Sequence, residues 1–387
     1  MTSGKFFLLT FCIGQIFFSA FAEEKTVVAD PLVQLAKTGN TTAQLQLGKE
    51  YFTGKMRPQN RALALYYFKL AADNGSPEGF FNLGMCYEYG VNSEPDLLEA
   101  YKYYSKAGNF LPALFKKAVF LEKGIPAVKK RRVYRRGIKA SPELAAKIIN
   151  DLIQQNYPPA LTHQAQKYLR DPRSGNVEFK EAFSLLERAV RKNDLNAYRL
   201  LADCYEWGLG CEKDERKAFE LLKIAADAGD GKSAAKIGAY FEHGIGAAPD
   251  LKKSLDYYRK AAELGEPLAM VQMAKHYSSG FIIKTDLAKA LDLCQQALAA
   301  NERSAFTLLG LFYSRGAGVA KDEKKAFSLF LKAAAMHDPE AQYYLALAFK
   351  NGRGTPQDES GAIYWMKKSA ASFYTPAAET LKQWNIK

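Results

Sequence analysis

Seven cations and no acid stand between Val128 and Ala140: Lys129, Lys130, Arg131, Arg132, Arg135, Arg136 and Lys139. Side chains of this kind at this density attract polyanions or acidic protein surfaces. In a chain kept inside the cytoplasm they would suggest a nucleic-acid patch. Tyr134, between the arginine pairs, could stack or insert at an interface. The other reading is a solvated loop without a partner, and the residues alone leave both open.

Other spacings carry less chemistry. Cys204 and Cys211 lie seven residues apart, and an oxidising compartment would allow a disulfide between them, although sequence does not give its geometry. Cys86 and Cys294 are expected as buried free thiols. The run Ala226 to Gly231-Lys232-Ser233 fits a permissive phosphate-loop pattern, but such a loop needs a strand before it and a helix after it. His163, His243, His276 and His337 have no second ligand at metal spacing, so no metal is expected. No serine sits in a nucleophile-elbow context beside an identifiable histidine and acid. We expect no catalytic residues and no cofactor.

The N-terminus bears on what the cations can meet. Lys5 precedes an apolar stretch, Phe6 to Phe21, which ends in Ala20-Phe21-Ala22 before Glu23 and Glu24. That pattern predicts a signal peptide over residues 1–22 and a short linker over 23–30. The apolar stretch is too short and broken for the ~20 residues of a membrane-spanning helix. No transmembrane segment is expected after cleavage, and the chain is expected to be exported, periplasmic or secreted, with a Gram-negative bacterium as its setting. An exported chain meets anionic lipid, polysaccharide or acidic proteins, and nucleic acid is not an expected partner.

Length and composition point to a folded protein: 387 residues, 48% hydrophobic and 25% charged, with 54 basic against 41 acidic side chains for a formal +13. Five cysteines are too few for a disulfide framework.

Two or three domains would suit the length, but the residues recur with a period of 36. Asp214, Asp250, Asp286, Asp322 and Asp358 keep it, as do the small pairs Ala225-Ala226, Ala261-Ala262 and Ala333-Ala334. The aromatic positions Tyr205, Phe241, Tyr277, Tyr313 and Phe349 keep it too. Within one unit, Ala197, Leu201, Ala202 and Tyr205 form an apolar stripe at helical spacing, Gly208 ends that helix, and Asp214 can cap the next. The pattern predicts an all-α fold of about nine helix pairs over residues 31–387, with a closing cap helix over 376–383. Residues 112–193 are degenerate copies, and one unit is longer than 36 by 11 residues. That insertion, residues 125–142, contains the cation cluster. The phosphate-loop pattern falls on the ordinary turn between two units.

Ala-x-x-x-Leu-Gly-x-x-Tyr-x-x-Gly followed by Asp-x-x-Lys-Ala and Lys-Ala-Ala-x-x-Gly resembles the Sel-one-like repeat (SLR), a relative of the tetratricopeptide repeat. Good copies run from Leu47-Gly48 to Gly75, from Leu83-Gly84 to Gly108, from Ile237-Gly238 to Gly265 and from Leu309-Gly310 to Ala335. The resemblance implies a right-handed α/α superhelical solenoid whose groove is lined by the first helix of each pair. It also implies that the fourth position after the helix-one Gly or Ala faces the groove; here that position holds Glu88, Glu206 and Glu242. Such a row would favour a basic or amide-rich peptide. The function implied is a non-catalytic interaction scaffold for a protein or peptide partner in envelope assembly, signalling or host interaction. Two alternatives stand beside it: a cell-wall or β-lactam-acting enzyme, which secreted SLR proteins also suggest, and a binder of anionic lipid or polysaccharide through the basic insertion.

Overall fold

The computed structural model describes residues 30–130 and 133–386, with 129, 130, 133 and 134 described by backbone alone. The expected signal peptide and residues 23–29 of the expected linker lie outside the described residues, as do Arg131 and Arg132. The chain divides into two compact units at Gln164/Ala165, inside the degenerate stretch.

The first unit begins with α1 (Pro31–Lys37), the expected leading half-repeat, followed by the pairs α2 (Thr41–Thr53) with α3 (Arg61–Asp73) and α4 (Pro77–Tyr89) with α5 (Leu97–Lys106). Next come α6 (Leu111–Lys123), the strands β1 (Val128–Lys130) and β2 (Val133–Arg135), and α7 (Pro142–Gln154). Helix α8 (Pro158–Arg170) carries the division.

The second unit continues with α9 (Asn176–Val190), α10 (Leu195–Trp207), α11 (Glu215–Asp227), α12 (Gly231–His243) and α13 (Leu251–Glu263). It closes through α14 (Pro267–Ser279), α15 (Leu287–Ala299), α16 (Arg303–Arg315), α17 (Glu323–Ala335), α18 (Pro339–Asn351), α19 (Glu359–Ala371) and the cap helix α20 (Thr375–Gln383). Among the described residues this makes nine helix pairs, and consecutive helices pack on one another as in a solenoid from α1 to α7 in the first unit and from α9 to α20 in the second.

Each pair is delimited by chemistry visible in its sequence. The aspartates on the 36-residue beat are the caps of the second helices: Asp214, Asp250, Asp286 and Asp322 accept from the backbone N–H three residues on at 2.9–3.0 Å. A side-chain cap is worth about 1 kcal/mol because it satisfies an amide the helix itself leaves unpaired. The lysine of the Asp-x-x-Lys motif then lies over the aromatic ring of the first helix, Lys289 over Tyr277 at 4.7 Å and Lys325 over Tyr313 at 4.0 Å. The repeat lysines are thus engaged within their own pair.

The core is built on close approach. Ala225, Ala226, Ala333 and Ala334 are buried, as expected of the small pairs. A second device is a glycine set against a ring twenty residues on. A Cβ at Gly238 would stand 2.8 Å from Tyr258 Cδ1, and Gly48, Gly84 and Gly310 meet Phe68, Tyr104 and Phe330 in the same way. Where the first helix carries alanine instead, the residue twenty on is smaller or more pliable: Leu222 after Ala202, Cys294 after Ala274 and Met366 after Ala346, all fully buried.

The insertion is the departure from an all-helical plan. It is not an open loop but an antiparallel hairpin, with Val128 opposite Arg135, Lys129 opposite Tyr134 and Lys130 opposite Val133. An outer bridge, Ile125 to Ile138, closes its base with two 2.8 Å backbone hydrogen bonds, and Ile125 is buried. Eleven extra residues between two packed helices can pair their own backbone groups only with one another, and a two-stranded hairpin does so.

Candidate functional site

The cation cluster separates into anchored and exposed members. Arg135, at the end of β2, reaches back to the second repeat: its guanidinium pairs with the Asp96 carboxylate and, at 3.1 Å, with Glu99. Asp96 is also the cap of α5, accepting from Glu99 N–H at 3.0 Å. Partial burial opposes a charge on Asp96, but the Glu99 amide and Arg135 outweigh it and hold its carboxyl below the usual carboxylate range. Arg136 and Lys139 are exposed, and among the described residues neither has an ion-pair partner. Arg135 therefore holds the hairpin against its own unit while its neighbour faces solvent. Of Lys129 and Lys130 the structure gives backbone placement only.

The glutamate row is engaged internally. Glu88 accepts the Tyr104 hydroxyl at 2.5 Å and pairs with Lys116 of α6 at 2.9 Å. Glu242 accepts the Tyr258 hydroxyl at 2.9 Å. Glu206 pairs at 2.5 Å with Lys236 of α12, which also meets Asp203 at 2.5 Å. All three are partly buried, so a basic partner would have to displace a hydrogen bond or ion pair already made.

Cys204 and Cys211 stand as thiols, with the Cys211 Sγ–H donating to the Cys204 carbonyl at 3.5 Å. Cys86 and Cys294 are buried thiols, and burial pushes Cys86, Cys204 and Cys294 up to about 12.

The phosphate-loop pattern has a structural explanation. Gly231, Lys232 and Ser233 open α12, where the Asp230 carboxylate accepts from Ser233 N–H at 2.9 Å and Ser233 Oγ at 2.5 Å. The place a phosphate would take is filled by a carboxylate of the chain. His163 lies 3.0 Å from Glu122 and edge-on to Phe115, and His337 turns the chain in the left-handed region at φ 60°. Among the described residues, no group of three or more His, Cys, Asp or Glu side chains could hold a metal ion. No described helix is long and apolar enough to cross a membrane.

One ladder escaped sequence reasoning. Asp194, Asp230, Glu266, Glu302 and Asp338 are the caps of the first helices of successive pairs in the second unit. They too are spaced by 36, the same signal that Asp214 to Asp358 carry in the sequence.

The sequence matches the Sel1 repeat model over residues 41–76, 78–109, 195–230, 231–266, 267–302, 307–338 and 339–372. The unmatched stretch between the second and third copies is the degenerate one, and it holds the hairpin. Among curated proteins, the DAP3-binding cell death enhancer 1 of Rattus norvegicus and that of Mus musculus are each 40% identical over 76 residues, 20% of this chain. The chain spans only 14% of the length of those relatives. Among solved structures, a Sel1 repeat protein from Oxalobacter formigenes is 28% identical, covering 56% of this chain and 86% of that one at a TM-score of 0.49. A protective antigen of uropathogenic Escherichia coli displaying an SLR fold is 23% identical, covering 89% of this chain and 80% of that one at a TM-score of 0.45. Seven matched copies account for more than half of the residues, and the protein belongs to the Sel1 repeat family.

Proposed function

We propose that this protein is an exported, non-catalytic scaffold that binds a protein partner of the cell envelope, with the basic hairpin forming part of the contact. Sel1 repeat proteins are in general protein-interaction scaffolds and mostly non-enzymatic. The observation that carries the reading is the division of labour in the hairpin. Arg135 is used up on Asp96 and Glu99, whereas Arg136 and Lys139 are held out in solvent without acidic partners among the described residues. A hairpin fixed at its base and by Arg135 loses little further freedom on binding, which favours a specific acidic surface over diffuse attraction. Because Glu88, Glu206 and Glu242 are already bonded, the weight of recognition moves from the glutamate row to the cations.

The test is comparative capture from an envelope fraction with the wild-type chain and with Arg136→Glu/Lys139→Glu, which keeps the Arg135 anchor. Partners retained by the first and lost by the second are expected, and an identical set from both would overturn the hairpin's role. Cell fractionation reads export directly, and a chain found only in the cytosol would remove that part. The same exposed cations favour a second reading, an anionic lipid or polysaccharide surface. Cosedimentation with anionic vesicles that falls steeply with salt in the wild type, and is lost in the double variant, would place the contact there instead.

A further inference from the structure

The last repeat of the second unit carries a cavity of about 320 Å³ between α16, α17 and α18. Phe327, Phe330, Tyr344 and Leu347 line it. At its mouth stand Arg315, the last residue of α16, and Arg353, just after the end of α18. Both are exposed, and among the described residues neither has an acidic ion-pair partner. Lys321 and Glu323 also line it but are paired with each other at 3.1 Å.

The cavity has a cause that can be read by comparing repeats. The residue after the glycine that ends the first helix is an apolar plug in several repeats, although the first repeat, like the last, has an exposed cation there, Lys55 after Gly54. Val91, Ile245 and Ala317 occupy that position and pack into the cores of their units. At Phe281, which points outward, Ile282 and Ile283 take its place in the core. In the last repeat the position holds Arg353, whose side chain is exposed. The following Gly354 sits in the left-handed region at φ 73° and presses on the start of α17, where a Cβ would stand 2.1 Å from the Glu323 carbonyl oxygen. The backbone is thus held against the preceding repeat as elsewhere, but the side chain that would fill the gap is replaced by a cation. A recess that sets Phe327, Phe330, Tyr344 and Leu347 beside two guanidinium groups without acidic ion-pair partners is complementary to a carboxylate carried next to an apolar side chain.

We infer that this cavity is a peptide site, taking one aromatic or large aliphatic side chain of an acidic segment into the recess while the adjacent carboxylate is held by Arg315 and Arg353. It is independent of the hairpin: the residues involved belong to the other unit, and Arg136→Glu/Lys139→Glu should bind the peptide as the wild type does, so that failure of one reading leaves the other standing.

The probe is the fluorescein-labelled peptide Gly-Ser-Gly-Asp-Phe-Glu with a free C-terminus, followed by fluorescence anisotropy on the full chain. Two controls separate the terms: Gly-Ser-Gly-Asn-Phe-Gln-amide removes the charge, and Gly-Ser-Gly-Asp-Gly-Glu removes the apolar side chain. Saturable binding is expected, weaker by at least about tenfold for either control and for Arg315→Gln, since each change deletes a charge-assisted contact or the buried ring. Arg353→Ile restores the plug; it should abolish binding while leaving the thermal midpoint equal or higher, which separates filling from unfolding. No saturable binding by the wild type up to millimolar peptide, equal binding of the controls, or unaltered binding by folded Arg353→Ile would each overturn the proposal.

Discussion

Glu242 accepts the hydroxyl hydrogen of Tyr258 at 2.9 Å, and Tyr258 is the ring that Gly238 makes room for. The same arrangement joins Gly84, Glu88 and Tyr104. Where the ring is phenylalanine, at Phe68 and Phe330, the glutamate position holds Phe52 or Ser314 instead. Among the four repeats with glycine at this position, the acid follows the phenol. A buried hydroxyl needs an acceptor, and a glutamate one helical turn beyond the glycine supplies it without disturbing the close approach. Burial, with the Glu242 charge behind it, raises the Tyr258 phenol, so it remains a donor throughout the neutral range.

Removing that hydroxyl by Tyr258→Phe should cost about 1 kcal/mol, the usual worth of a hydrogen bond whose acceptor can partly rehydrate. Gly238→Ala should cost more, about 1–3 kcal/mol, because its Cβ would meet Tyr258 Cδ1 at 2.8 Å. Adding Tyr258→Leu to Gly238→Ala reproduces the Ala202 and Leu222 pair found two helices earlier, and should recover part of that loss. Urea unfolding of the wild type, Gly238→Ala, Tyr258→Leu and the double variant measures the coupling, and strict additivity would refute the ring-glycine account.

Arg135→Ala should free the hairpin tip without unfolding its base. The ring closed by Ile125 and Ile138 does not involve Arg135, so amide exchange should quicken at 128–135 while the Ile125 and Ile138 amides stay protected. Asp96 should titrate closer to its ordinary range in the variant. Its native carboxyl is held low, so the stability it contributes is present at neutral pH and is lost as pH falls through that lowered value. The difference between wild type and variant should therefore be largest near neutrality and vanish in acid.

Much of this architecture is legible because each repeat must solve the same local problems with the same residues. Asp214 and its counterparts announce helix starts, and the Ala225-Ala226 and Ala333-Ala334 pairs mark where helices approach. What sequence hides is pairing between repeats. Glu88 reads as a free acid on an exposed face, yet its partners Tyr104 and Lys116 lie 16 and 28 residues away, in the next two helices. The insertion was evident as extra length and charge, but its pairing depends on backbone groups that composition does not weigh. The cavity at Arg353 becomes visible only once Ile245 and Ala317 are seen to be plugs.

Glu266 offers a different pH signature. It occupies the cap position of α14 but makes no capping hydrogen bond, and burial raises its carboxyl, with the ladder neighbours Asp230 and Glu302 adding to the effect and Lys232 opposing it. A raised carboxyl opposes folding while it is charged, so its cost is felt above its native value and is relieved as pH falls and the group protonates. Glu266→Gln should be more stable than wild type near pH 8 and indistinguishable from it in acid. A thermal midpoint lower than wild type at pH 8 would show that the charge is needed.

The thiols give the last prediction, because burial sorts them. Cys86, Cys204 and Cys294, pushed up to about 12, stay protonated at pH 8, and all three are buried. Cys211 is raised as well, first by burial, but it is partly exposed beside the turn that follows α10. In a chain freed of residues 1–22, and so of Cys12, a disulfide-forming chromogenic reagent should therefore react with Cys211 in a single fast phase, and with Cys86, Cys204 and Cys294 only at the rate of unfolding. Cys211→Ser should delete the fast phase and leave the slow one intact. A chain in which Cys204 and Cys211 were bonded would show no fast phase until reductant was added, so the same titration on protein taken from its native compartment reads the pairing directly.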